Sequence, residues 1–489
     1  MKLEKIISGI IRRKENVYFI GIKGTGMCAL AELLHRAGAR VSGSDTGDVF
    51  YTNAILDDLR IPYFECFEPS HITDKLSLII YSAAYSADKN PEIAEALRRG
   101  IPLAKYTDAL GAYSAMFDSS GVAGVHGKTS TTAITGTLLA AADLPAQILA
   151  GSAVTSFGGR STITIGNKYF VAETCEYRKH FLSFHPRRVI LTGVESDHQD
   201  FFPTYESIRG AFVEYGEKIE SGGELIYCAD DAGACETVNL IQKKRNDIKY
   251  TPYGFNADGY YKIKNYRTEN GKSVFELSGI PSLWTVRVPG RHTVLNSAAA
   301  IALVKSIADS EGAVFDETLV NKLKVALSGF SGSKRRSEII GEAGGILFMD
   351  DYAHHPTAIK TTLAGLKEFY HERRLVVSFM PHTYSRTAAL LSGFAAAFEN
   401  AGIVFLHKIY PSAREEYNGA VTGLSLFEKT KTFHDNVYYV DEPLDAVNQI
   451  KSILRPGDIF ISLGAGDNWR LCETLFNEYK EYKKTGAAV

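Results

Sequence analysis

Lys128, at the end of the glycine turn Gly124-Val125-His126-Gly127-Lys128-Thr129-Ser130, has the surroundings that phosphate chemistry needs. An apolar run leads in, and a Thr-rich helical stretch leads out. Glycines let successive backbone N–H groups face phosphate oxygens, and the helix N-terminus adds a favourable dipole. Lys128 supplies a point charge, and the Thr129 hydroxyl can reach Mg²⁺. Val122 stands where a full Walker loop has its first glycine, so this is the shorter G-x-x-G-K-T form. An ordinary helix start with a solvent-facing lysine is the plainer alternative.

A second glycine loop, Gly21-Ile22-Lys23-Gly24-Thr25-Gly26, precedes Met27 and has G-x-x-G-x-G spacing. Close backbone approach to a diphosphate is its natural use, with Asp45 at the next strand end as a hydroxyl acceptor. Tight strand–helix packing would also call for such glycines. Glu173 and His198 follow other apolar runs and suit a sparse Mg²⁺ site beside Thr129. Two further polar clusters, Asp350-Asp351-Tyr352-Ala353-His354-His355 and His382-Thr383-Tyr384-Ser385-Arg386, also follow apolar runs. Lys334-Arg335-Arg336 reads as a hinge contact or as a solvated charge run.

The elements that must position these groups alternate. Strands are predicted at 17–20, 40–44 and 76–81, with helices at 27–37 and after Pro91, the rhythm of a parallel sheet. Strands at 168–172 and 188–192 belong with the Lys128 loop. Short alternating runs at 260–264, 273–277 and 284–288, with Asn270-Gly271 between two of them, predict a small antiparallel sheet. A helix over 294–307 follows. Strands at 346–349, 375–379, 403–407, 437–440 and 459–463 predict a second doubly wound unit. The expected fold is α/β with three domains: Rossmann-like 1–107, a central P-loop domain 108–332 with parallel and small antiparallel sheets, and Rossmann-like 333–489.

A chain of 489 residues exceeds one compact core, and its 45% hydrophobic and 22% charged content exclude a disordered or collagen-like protein. A formal charge of −2 gives no global field for nucleic acid or an acidic membrane. None of the six cysteines forms a C-x-x-C pair, which predicts reduced thiols in a cytoplasmic protein. No signal-peptide pattern and no uncharged run of about 18 apolar residues occurs, so no membrane insertion is expected.

Taken together, the stretches GIKGTGMCALAELL from Gly21, VAGVHGKTSTT from Val122, AETCEYRKHFLSFHP from Ala172, VPGRHTVLNSAAA from Val288, SGSKRRSEIIG from Ser331, DDYAHHPTAI from Asp350, PHTYSRT from Pro381, IYPSAREE from Ile409 and LGAGDN from Leu463 resemble the Mur ligase family across almost the whole chain. DDYAHHP with IYPSAREE points to the alanine-adding branch.

The resemblance implies ATP-dependent joining of L-alanine to the lactyl carboxylate of UDP-N-acetylmuramate through an acyl phosphate. It assigns Gly21, Gly24, Gly26, Met27 and Asp45 to the UDP-sugar. Gly124, His126, Gly127, Lys128, Thr129, Ser130, His292, Asn296, Arg336, Asp351 and Tyr352 go to ATP. Thr129, Glu173 and His198 go to Mg²⁺, with Mn²⁺ as a substitute. Lys128, His354, His382 and Arg386 are the catalytic set, with one of the histidines taking the amine proton. A monomer or dimer is expected. Three places depart from the family pattern: Thr293 replaces a common Asn, the segment TCEYRKHFL after Glu173 lacks the second acidic pair of many members, with Glu176 in place of one of those acids, and Thr383 replaces an Arg of some members. The rivals are a sibling ligase adding another amino acid or a tripeptide, a nicotinamide oxidoreductase using the first glycine loop, and an ATP-driven switch.

Overall fold

The computed structural model describes residues 2–411, 415, 417, 419 and 421–485, with side chains to 481. Ser412, Ala413, Arg414 and Glu416 of the IYPSAREE stretch lie outside the described residues. The chain divides into two compact units. The first comprises 1–194, 209–259 and 299–326; the second comprises 195–208, 260–298 and 327–489.

The first unit holds two sheets. One is parallel, in the order Tyr63–Phe64, Arg40–Ser44, Asn16–Ile20, Leu76–Tyr81, Leu103–Lys105. The chain leaves Asn16–Ile20 toward one neighbour and later returns on its other side, so the glycine loop sits at a topological switch point. Helix Pro91–Arg99 starts where Asn90 accepts hydrogen bonds from the N–H groups of Glu92 and Ile93, at 3.0 and 3.2 Å. This cap satisfies two otherwise unpaired donors.

In the other sheet, Asp118–Ala123 runs parallel to Arg188–Leu191 on one side and to Tyr169–Glu173 on the other. Ala146–Val154 and Arg160–Thr164 extend it as an antiparallel pair at one edge. That pair, and the strands Glu224–Cys228 and Lys249–Gly254, were not expected from the sequence. Glu32, buried on the helix Thr25–Arg36 of the first glycine loop, ties the two sheets together. It accepts from Arg160 at 2.8 Å, Thr162 at 2.7 Å and Arg36 at 2.9 Å.

The second unit carries the expected antiparallel ladder, Tyr261–Glu269, Lys272–Leu277 and Ile280–Val286. Asn270 and Gly271 both take positive φ (51° and 66°), as a tight hairpin turn requires. Its six-stranded sheet runs Glu338–Ala343, Ile346–Asp351, Asp458–Gly464, Arg374–Met380, Ile403–Leu406, Val437–Tyr439. Only the first pairing is antiparallel, through an edge strand that the sequence reading missed. Leu375, Val377 and Phe379 enter the core on one face while Val376 enters that on the other. Burial on both faces is why such strands read as unbroken apolar runs. Among the described residues, no helix is long and apolar enough to cross a membrane.

Candidate active site

In the first unit, strand Asp118–Ala123 delivers the chain to Gly124 (φ 127°) and Gly127 (φ 79°), and helix Lys128–Ala141 begins at once. A Cβ on Gly124 would lie 2.1 Å from Thr192 Oγ1, so the backbone there passes closer to its neighbour than a side chain allows. Lys128 Nζ donates to Glu176 at 2.9 and 3.2 Å and to the Gly124 carbonyl. Burial pulls the Lys128 ammonium down, but the Glu176 and Glu173 carboxylates outweigh it and hold the pKa above its ordinary value. Lys128 is therefore a fixed cation. Thr129 Oγ1 donates to Glu173 Oε2 at 2.7 Å. A hydroxyl and a carboxylate at this separation are oxygen donors of the type a hard divalent cation takes, so the pair fits Mg²⁺. His126 and Ser130 are half-buried on either side of the lysine.

The other glycine loop opens differently. Gly21 has φ 87°, and a Cβ there would lie 2.8 Å from the Tyr85 ring. Gly24 is the N-cap of helix Thr25–Arg36, and Met27 is buried on that helix. Asp45 Oδ2 accepts from the Lys23 N–H at 2.6 Å, and Oδ1 accepts from the Thr46 N–H at 2.8 Å. Asp45 thus braces the glycine loop, a task its place in the sequence did not reveal.

A cavity of about 160 Å³ lies between the first glycine loop and the strand end that carries Glu173. Thr25 and Gly26 line one side and Glu173, Cys175 and His180 another, with Tyr106 among the wall residues. A Cβ on Gly26 would meet the Tyr106 hydroxyl at 2.7 Å. Tyr106 was missed by sequence reasoning, because a tyrosine outside any motif carries no signal until the fold brings it to a cavity.

The second unit gathers the remaining candidates. His292 opens helix Arg291–Ser310 with Asn296 one turn on, and Nδ1 of His292 is buried with no hydrogen-bond partner among the described residues. Such an orphaned ring nitrogen fits a purine edge. Burial lowers the His292 pKa, opposed by Asp351. Thr293 donates to the Pro289 carbonyl at 3.0 Å. Asp351 accepts from the N–H groups of Ser337 and Ala353 at 2.6 and 2.7 Å, so it organises the loop around Tyr352. The guanidinium groups of Arg335 and Arg336 lie 5.0 and 5.4 Å from the Tyr352 ring centre. Arg335 also pairs with Asp350 at 2.9 Å, so the basic run is no merely solvated stretch.

His354 and His382 stand with ring centres 5.9 Å apart. His354 Nδ1 contacts the Tyr352 carbonyl at 2.7 Å, which makes that nitrogen the N–H donor and leaves Nε2 as the acceptor. Burial, then the Arg386 charge, pushes the pKa of His354 well below its usual range and that of His382 down to about 4. Both rings are neutral at pH 7, rather than poised near neutrality as a base needs at its best. Arg386 is buried, donating to Asp197 Oδ1 and to the His382 carbonyl, each at 2.8 Å. His198, with φ 53°, follows Asp197. Thus Lys128, Thr129 and Glu173 meet in the first unit, whereas His198 is held in the second with His354, His382 and Arg386.

Three family models match this chain: the Mur ligase family catalytic domain over 16–118, the Mur ligase middle domain over 122–304, and the Mur ligase glutamate ligase domain over 335–466. A UDP-N-acetylmuramate–L-alanine ligase of Treponema pallidum is 49% identical over 479 residues, covering 98% of both chains. The chain belongs to the Mur ligase family. Another ligase of the same name, from Borreliella burgdorferi, is 38% identical over 94% of this chain and 98% of its own. The crystal structure of the UDP-N-acetylmuramate-alanine ligase of Thermotoga maritima covers 95% of this chain and 99% of its own, with TM-score 0.75 at 25% identity. A Mur ligase is an amide-forming enzyme, which sets aside the oxidoreductase and the ATP-driven switch as readings of this chain.

Proposed function

We propose that this chain uses ATP to join L-alanine to the lactyl carboxylate of UDP-N-acetylmuramate, in the cytoplasm, as an early step of peptidoglycan precursor synthesis. The observation that carries the reading is the cavity shared by Gly26 and Glu173. It supports a sugar acid lying between a diphosphate-binding helix start and Glu173, which accepts from Thr129 next to the triphosphate-binding lysine. The 49% identical relative of that name supports the choice of substrates.

A carboxylate is a poor electrophile, so activation must precede amide formation. A carboxylate oxygen attacks the γ-phosphorus, ADP leaves, and an acyl phosphate forms. The alanine nitrogen then attacks the acyl carbon, phosphate leaves, and the nitrogen gives up a proton. Lys128 neutralises charge on the transferring phosphoryl group, and Glu176 holds the lysine in place until phosphate competes for it. Bound Mg²⁺ would screen the phosphate oxygens, held by Thr129 and Glu173 with His198 as a further ligand. His292 and Asn296 take the adenine side, with Arg336, Asp351 and Tyr352 completing the nucleotide pocket. His354 Nε2 accepts the amine proton, with His382 beside it.

The test is phosphate release and amide formation with ATP and Mg²⁺, omitting UDP-N-acetylmuramate and L-alanine in turn. Full turnover is expected only with all components. Glycine, serine and a peptide acceptor replace alanine in parallel, and turnover with the peptide but not alanine would overturn the reading.

A further inference from the structure

Residues 195–198 belong to the second unit, and four contacts hold them there. Arg386 Nε donates to Asp197 Oδ1 at 2.8 Å, and both side chains are buried, at 6% and 4% exposure. Thr357 Oγ1 donates to Glu195 Oε2 at 2.8 Å. His355 Nδ1 lies 3.6 Å from Glu195 Oε1, and its Nε2 lies 3.3 Å from the Ser196 carbonyl. The partners come from the chain just after two strand ends of one sheet, Ile346–Asp351 and Arg374–Met380, which flank Asp458–Gly464. Arg386 does not stop at Asp197, since it also donates to the His382 carbonyl at 2.8 Å and lies 3.3 Å from His382 Nδ1.

We propose that Asp197 and Arg386 are a pair of positioning residues: Arg386, rather than clamping the amino-acid carboxylate alone, locks the loop that presents His198 to the metal onto the loop that presents His382 to the amine. The inference rests on the proposed ligase reading. Both carboxylate oxygens of Glu195 and one of Asp197 are engaged from the histidine-bearing side, so movement of either loop carries the other. An exposed pair would tolerate slippage, but a buried one leaves an uncompensated charge when broken, so the two loops keep one geometry. His198 has a left-handed backbone, uncommon for a non-glycine residue, and the preceding carboxylate accepts its N–H at 2.7 Å. Asp197 therefore sets the backbone of His198 as well as the guanidinium of Arg386.

The test crosses the two sides. Mn²⁺ affinity is read by electron paramagnetic resonance with ADP and no turnover, and the alanine KM is read separately, in wild type, Asp197→Asn, Arg386→Met and the double variant. Arg386→Met is expected to weaken Mn²⁺ by about tenfold, although arginine is no metal ligand. Asp197→Asn is expected to raise the alanine KM by a similar factor, and the double variant to be no worse than the stronger single one. The KM for the UDP-sugar should not move. Unchanged Mn²⁺ binding in Arg386→Met, an unchanged alanine KM in Asp197→Asn, or losses that multiply would each overturn the proposal. Should a variant lose cooperative thermal unfolding, Glu195→Gln keeps the ion pair and loosens the neighbouring contact; it should shift both quantities in the same direction, and no shift in either overturns the proposal. A wild type that makes no amide with alanine sinks the ligase reading, whereas an active wild type with separable variants sinks this pairing alone.

Discussion

The phosphate loop and the histidine site are built on opposite plans. Around Lys128 the working groups are almost contiguous: one strand end, two glycines and one helix start, with Glu173 added by the end of the neighbouring strand and Glu176 by the loop after it. Its charge balance is local, a lysine held by a carboxylate. The histidine site draws on residues 197, 354, 382 and 386, and its cation, Arg386, is buried against Asp197. The first plan fixes charge for binding a polyanion. The second keeps two imidazoles neutral by burial beside a guanidinium, so each ring has a free acceptor nitrogen but is a weaker base than an exposed histidine.

The sharpest way to test that division is to remove Lys128. Lys128→Ala should lower both acyl-phosphate formation, trapped with hydroxylamine, and amide formation by about 10³-fold. A variant that still makes the amide at the normal rate would break the comparison. His354→Ala should cost about 10²-fold in amide formation while sparing the trapped acyl phosphate. Equal loss of both products would place His354 on the binding side. Gly21→Ala introduces a side chain at φ 87° and 2.8 Å from Tyr85, so a loss of about 2 kcal/mol in thermal stability is expected, with a raised KM for the UDP-sugar. An unchanged melting temperature would mean that the loop adjusts freely.

The smallest effect concerns acid. Burial lowers His382 and His407 to about 4 from an ordinary 6.5, opposed in His407 by its bond to the Val440 carbonyl. These histidines remain neutral when folded but protonate when unfolded, so their stabilisation is complete above about pH 6.5 and is lost as pH falls toward 4. Wild type should lose several degrees of melting temperature between pH 7 and pH 5, and His407→Gln should show a shallower slope. Equal slopes would shift the acid sensitivity onto other groups.

How much could be read in advance follows the same two plans. Arg40–Ser44 and Leu76–Tyr81 lie where apolar pattern and flanking turns put them. The four inner strands of the six-stranded sheet could be read because burial on both faces leaves an unbroken apolar run. Glu338–Ala343 could not, because this edge strand is half-exposed and mixed in character. Ala146–Val154 hides for another reason: its alanines and glycine form no alternating pattern, and its pairing partners define it as a strand. Asp197 and Tyr106 carry no motif, and their tasks are set by residues 189 positions away or by a cavity wall.

The sequence by itself determined the family, the glycine loops, the fixed lysine and the choice of titratable groups, because backbone freedom, helix starts and side-chain chemistry are local properties. Only the tertiary structure decided that Glu176 holds Lys128, that Asp45 and Asp351 brace loops through backbone N–H groups, and that Arg386 is spent on Asp197. Those outcomes depend on which charges end up buried together, and burial is a property of the packed chain rather than of any stretch of it.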